Sequence, residues 1–315
     1  MASTRTEVLN TFTASTAKYQ RKSVIDAFFG SNTVLAGIKK HDSLKVQGGS
    51  EIVEDFIYAG FNGGSFGRGQ TFNTDVTEFV EPMHFDWKGA YAPVVIDGFD
   101  AALNQGKERV FSIVKATMEN AHLTLNNDLG TQIFADGTGN SGNDIDGLGN
   151  AVSRTGTYGG VTRASTGAGA AIRAAQEDTT GGALSYGNVN TVFGNTVVAN
   201  ETPDLMPTTQ TLRNVIWAHS QPSERASGGD DIREIGFNGV RFNGAVVVVD
   251  SHCPAGFLYF LNMKWFTLYM LTNWDFKLRG MFETHDTFTQ VGQVIAILNL
   301  VCRAPRFQGV MSGLS

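Results

Sequence analysis

The apolar residues of this chain fall into blocks of different period, and the periods predict its elements. Residues 51–61 carry Ile52, Val53, Phe56, Ile57 and Tyr58, a strand composition. Met83, Phe85 and Trp87 alternate with His84, Asp86 and Lys88, the period of two of a half-buried strand. Between these runs, residues 60–69 hold five glycines in ten positions, and strand signals resume at Thr71. The pattern predicts two antiparallel strands joined by a loose tip. A lone two-stranded ribbon is marginal in water, so it must lie on something, its own body or a neighbour.

A helical stripe follows. Leu103 comes first, and Val110, Val114, Met118, Ala121, Leu125 and Leu129 are then spaced four, four, three, four and four. Asp100 stands near the start and Gly137 closes the run. The spacing predicts one continuous helix of about 35 residues, a rod on the order of 50 Å. Further helices are expected over 168–177, over 188–198, and after Pro207, where Leu212, Val215 and Ile216 share a face. The pattern then turns to strands: Val240 and Phe242 alternate, residues 245–249 are wholly apolar and stop at Asp250, and residues 257–261 follow Pro254 and Gly256. Residues 294–301 form an apolar run broken only by Asn299, which predicts a buried strand. Residues 1–22 are polar and read as an extended arm, with a short helical stretch over 24–29. Helices and strands mix without regular alternation, which indicates an α+β fold.

Composition narrows the function. The chain has 315 residues, enough for one large domain or two closely joined ones. Only 17% of residues are charged, below the usual quarter, as in a subunit whose surface meets neighbours. The net charge of −6 excludes a strongly basic nucleic-acid reader. Charge is also uneven. Between Lys45 and Lys88, Arg68 is the only lysine or arginine against seven acids: Glu51, Glu54, Asp55, Asp75, Glu78, Glu81 and Asp86. Such a ribbon repels copies of itself and seeks a basic surface. The residues expected to meet a neighbour are Glu51, Glu54, Asp55, Phe61, Phe66, Arg68, Asp75 and Glu78. Cys253 and Cys302 lie near apolar strands and read as free buried thiols. No signal-peptide stretch opens the sequence, and the most apolar window, 257–271, is too short to span a bilayer.

The motifs that look chemical lack their context. Gly63-Gly64-Ser65-Phe66-Gly67 matches a nucleophile elbow, but that motif needs a helix directly after it, and Arg68-Gly69-Gln70 and a strand follow. Residues 137–142 match GxGxxG but come after a helix, where the dinucleotide fingerprint needs a strand. Asp144-Ile145-Asp146-Gly147 resembles part of a calcium loop without its closing glutamate. His252-Cys253 has no second ligand pair for zinc. No catalytic set, metal site or cofactor site is expected.

The order of elements resembles the major capsid proteins of tailed double-stranded DNA bacteriophages, the Hong Kong 97-type fold. Local text supports this over nearly the whole chain. Thr157-Tyr158-Gly159-Gly160-Val161-Thr162-Arg163 is similar to a segment after the family's spine helix, and Thr202-Pro203-Asp204-Leu205 with Thr208-Thr209 to its path into an A-domain helix. Residues 236–250, Pro254-Ala255-Gly256 and Tyr259-Phe260-Leu261-Asn262 resemble an A-domain stretch, and Asn299-Leu300-Val301 with residues 306–310 a last P-domain strand and tail. The resemblance implies an N-terminal arm (1–45), an E-loop hairpin (46–97), a spine helix and P domain (98–165), an A domain (166–284) and a P-domain return strand and tail (285–315). It implies a self-assembling structural protein, not an enzyme. Hexamers and pentamers would close an icosahedral shell around double-stranded DNA, with no sequence-specific DNA contact and no membrane. Scaffold, portal and decoration proteins are the further partners it implies. The place is the virion, after synthesis in the host bacterial cytoplasm. Some members join an E-loop lysine to a neighbour's asparagine; the tip here has no lysine, so no such bond is expected. Two alternatives stay open: an encapsulin-like cellular shell of the same fold, and an α+β enzyme with a flexible lid.

Overall fold

A computed structural model of the chain describes residues 32–41, 43–103, 113–163, 167–173, 176–227, 240–283 and 287–315. The expected N-terminal arm over 1–22 and helix over 24–29 lie outside them. Among the described residues the fold is α+β, with two main sheets and two separate hydrophobic cores.

The first sheet is organised by one long strand, β14 (Thr289–Cys302), the run containing Asn299. Along one edge it pairs antiparallel with β4 (Lys88–Asp97). Along the other it pairs with β12 (Phe266–Leu271) near its end and with β13 (Lys277–Glu283) near its start. A parallel strand, β1 (Ser43–Val46), extends the sheet beyond β12. Alternation explains how it packs. Ala92, Val94 and Ile96 of β4 and Val294, Ala296 and Leu298 of β14 are buried with Ala121, Leu125, Leu129 and Ile133 of helix α3 (Ile113–Phe134). Each fully buried leucine there contributes about 1.5–3 kcal/mol of transfer free energy.

The second sheet runs β7-β15-β11-β8-β10-β9. Its strands are β7 (Gln176–Asp178), β8 (Leu205–Thr208), β9 (Val240–Phe242), β10 (Ala245–Val249), β11 (Leu258–Phe260) and β15 (Gly309–Met311). The wholly apolar β10 lies between β8 and β9, an interior place that suits it. Helices α4 (Tyr186–Thr196) and α5 (Gln210–Ser227) supply Val189, Val192, Phe193, Leu212 and Ile216 to this second core.

The expected spine is described in two helical stretches, a short α2 (Gly98–Leu103) and α3, whose 22 residues span about 33 Å; residues 104–112 between them lie outside the described residues. Three expectations change. The helix expected over 168–177 covers only Ala168–Ile172; Gln176–Asp178 is drawn into a parallel strand by β15, a partner far away in sequence. The strand expected from Thr71 begins only at Val80, because the glycines and the Asn/Thr/Asp positions of 73–77 favour turns over a ladder. Finally, residues 88–97 pair with β14 in the body, so the free ribbon is shorter than the segment 46–97.

Candidate inter-subunit arm

The arm is built on β2 (Ile52–Ile57) and β3 (Val80–Phe85), paired antiparallel with Ile52 opposite Phe85 and Glu54 opposite Met83. Paired residues share a face. Ile52, Met83 and Phe85 are buried and form the root. The Phe85 ring meets Tyr158 edge-on at 5.0 Å, and the His84 amide donates to the Gly159 carbonyl at 2.9 Å. The opposite face, with Val53 and Ile57, is open to water.

Beyond the root, residues 58–79 form no strand. Two aromatic contacts order them instead. Phe61 packs on Phe79 at 4.6 Å, and Phe66 on Phe72 at 5.1 Å. The rings stay largely uncovered: Phe61 is 70% exposed, Phe66 69% and Phe72 66%, while Val76 is 100% exposed.

The candidates separate in this structure. Glu54 is taken up inside the subunit, where its carboxylate accepts the Tyr269 hydroxyl of β12. Glu51 pairs with His84 across the ribbon at 3.2 Å. Asp55, Phe61, Phe66, Arg68, Asp75 and Glu78 face solvent. Sequence reasoning stressed the acids and missed the apolar content of the exposed surface: Val53, Ile57, Phe72, Val76 and Val80 join Phe61 and Phe66 there. The period-two pattern held the signal for β2 and β3, since Val53, Ile57 and Val80 fall opposite the buried positions.

A second exposed apolar area lies on the body. Val95 of β4, Val291 of β14 and Phe282 of β13 align in one row across the first sheet, on its face away from α3. Tyr91, Phe99 and Phe288 are exposed near them. A register shift between Arg279 and Phe282 opens a notch of about 300 Å³ lined by Arg279, Gly280, Phe282, Val291 and Gln293. Lys277, whose ammonium lies over the Trp274 ring, and Arg279 project from the same face as Asp97, and Glu283 also lines the notch. The exposed apolar row is the part of this face that complements an aromatic arm.

The chemical motifs sit in structural places. Ser65 is in the open tip. Gly137 turns the chain out of α3 with φ 80°. Asp146 is bound to Asn299, whose Nδ2 donates to its carboxylate at 2.8 Å. Cys253 and Cys302 are free and buried, and burial pushes both thiols up to about 12. Among the described residues no group of three or more His, Cys, Asp or Glu is placed to hold a metal ion, and no helix is long and apolar enough to cross a membrane.

No protein-family model matches the chain, and no curated protein matches it by sequence. Solved structures do. The capsid of cyanophage A-1(L) overlays with a TM-score of 0.69 at 16% identity, covering 94% of this chain and 97% of that one. The capsid of a native GTA particle gives 0.68 at 11% identity, over 95% and 96%. The SrpI encapsulin of Synechococcus elongatus PCC 7942 gives 0.61 at 8% identity, over 100% and 97%. This chain has the Hong Kong 97-type capsid fold that its sequence resembles.

Proposed function

We propose that this chain is the structural major capsid subunit of a tailed bacteriophage, assembling as hexamers and pentamers into an icosahedral shell around double-stranded DNA, with no chemical step. The observation that carries the proposal is the arm. It leaves its own body with Val53, Ile57, Phe61, Phe66, Phe72, Val76 and Val80 uncovered, on a chain that overlays shell subunits over nearly all its length. Contiguous exposed apolar surface of this kind marks a protein contact. A neighbouring copy supplies cover of the right chemistry, the apolar outer face of the first sheet. The reading therefore adds Val53, Ile57, Phe72, Val76 and Val80 to an expected contact that rested on the acids, Arg68, Phe61 and Phe66. Asp55, Phe61, Phe66, Arg68, Asp75 and Glu78 belong to that contact, while Glu51 and Glu54 stiffen the root.

Ring closure makes the remaining interfaces heterologous. An acidic wall contains DNA without condensing on it, so the free subunit binds DNA weakly. Synthesis in the host cytoplasm, and scaffold, portal and decoration partners, belong to the same proposal. The test is electron microscopy of the purified full chain beside a variant with residues 60–70 replaced by a short linker. Closed shells from the first and folded, unassembled subunits from the second are expected. Normal shells from the variant would refute the role of the arm, and a persistent monomer from the full chain would refute the shell. The encapsulin fold likeness makes the cargo decisive: particles recovered from the native source contain double-stranded DNA on this reading and protein on the other.

A further inference from the structure

Three parts of the chain that are distant in sequence meet at two side chains. Asp250 ends β10, and its side chain is fully buried. Its Oδ2 accepts the Val34 amide at 3.1 Å, in the first turn of helix α1 (Thr33–His41). Asn32 Oδ1 accepts the next amide, that of Leu35, at 2.9 Å. The open N–H groups of α1 are thus satisfied partly by a carboxylate 216 residues away. The other oxygen of Asp250 accepts the His252 amide at 3.0 Å and lies 3.2 Å from ring atom Nδ1. The opposite ring atom, Nε2, lies 2.9 Å from Asn127 Oδ1 on α3. One chain of contacts therefore runs from α1 through Asp250 and His252 to the spine.

Gly130, one turn beyond Asn127, is shaped to this meeting. A Cβ there would stand 2.4 Å from Asn32 Nδ2 and 3.0 Å from the His252 ring. Glycine inside a helix costs about 1 kcal/mol against alanine. Here its absent side chain is what lets α1 and the imidazole reach the spine.

We propose that Asp250, His252 and Asn127 form a latch coupling the seating of α1 to the position of α3: displacement of the spine frees the ring, and the freed carboxylate no longer holds α1. The prediction separating a latch from local packing is an effect at a distance. Among the described residues Asn127 makes no hydrogen bond to α1, yet Asn127→Ala is expected to speed hydrogen exchange of the Val34 and Leu35 amides. The scale is about five- to tenfold, that of one ordinary hydrogen bond. Amides of β10 should keep their wild-type rates. Gly130→Ala is the second variant. It raises the helix propensity of α3, and its methyl group would meet Asn32 Nδ2 and the His252 ring directly, so release of α1 in this variant shows that the contact seats α1, while Asn127→Ala carries the test of the latch. Mass-spectrometric exchange on the full-length subunit reads both. Unchanged rates at α1 in Asn127→Ala would overturn the latch, whatever Gly130→Ala does. So would equal acceleration in α1, β10 and β14, which would mean general loosening.

Discussion

Asn299→Leu roughly preserves volume and completes an apolar run, yet it is expected to cost the subunit about 2–3 kcal/mol by the following sum. The Asn299 side chain is fully buried and makes four hydrogen bonds. Nδ2 donates to the Asp86 carbonyl and to the Asp146 carboxylate, both at 2.8 Å. Oδ1 accepts the Asp146 amide at 3.0 Å and the Leu300 amide at 2.8 Å. Leucine removes all four. Asp86 and Asp146 are not fully buried, so water recovers part of the loss, and roughly 1 kcal/mol remains for each of the four orphaned groups. Burying the leucine atoms returns about 1–2 kcal/mol. The assay is urea unfolding of the unassembled subunit, followed by tryptophan fluorescence at fixed protein concentration. Asn299→Asp gives a second reading with a sign. It sets a carboxylate beside Asp146, and the like charges disfavour ionisation of the pair in the folded state. Its deficit should therefore shrink as pH falls into the carboxylate range and grow as pH rises through it. A leucine variant within about 0.5 kcal/mol of wild type would refute the bookkeeping, because even one orphaned group exceeds that.

Other outcomes follow from the same geometry. Gly147→Ala should lower the midpoint of thermal unfolding, seen by circular dichroism, at a cost of about 2 kcal/mol or more. Its Cβ would stand 2.4 Å from the Gln132 and Ala135 carbonyls and 2.6 Å from that of Ile133, backbone atoms that cannot swing aside. Cys253 and Cys302 should resist a thiol reagent at pH 8 in the native subunit and react on unfolding, since both thiols titrate at about 12. Assembled shells boiled in detergent should run as a single monomer band, and a ladder would show a covalent bond that the lysine-free tip was not expected to make. Asp75→Lys with Glu78→Lys should slow assembly more than it lowers the final yield, as light scattering can follow, because exposed charge governs encounter more than affinity.

The order of elements was legible because each strong pattern was local. The run over 294–301 is the buried half of β14, the alternation of Val240 and Phe242 is β9, and Leu212 and Ile216 do face a core from α5. What the sequence hid depends on partners far along the chain. Gln176–Asp178 becomes a strand only because residues 309–311 lie beside it. Glu54 looked like a free acid on a projecting ribbon, and the Tyr269 hydroxyl that claims it is 215 residues away. His252 was weighed as a metal ligand and set aside for lack of companions. Its actual neighbours, Asp250 and Asn127, include one from the spine helix α3 that no spacing rule could associate with it. The arm's contact chemistry was read mainly from charge: alternation places Val53, Ile57 and Val80 opposite the buried positions, but that this face stays uncovered depends on how the root packs on the body.

The placement of β14 and β15 has a consequence for how the protein is made. β14 is the strand on which β4, β12 and β13 all pair, and β15 lies inside the second sheet between β7 and β11. Neither sheet can close until residues 289–311 have been synthesised. Pairings that join segments about 200 residues apart also carry a high contact order, so both sheets form late and together. A growing chain exposes its sticky arm long before it has a finished body on which another arm could settle. On the proposed function, competence to join a shell therefore waits for residues 289–311, and chains lacking them are kept out of the lattice by topology.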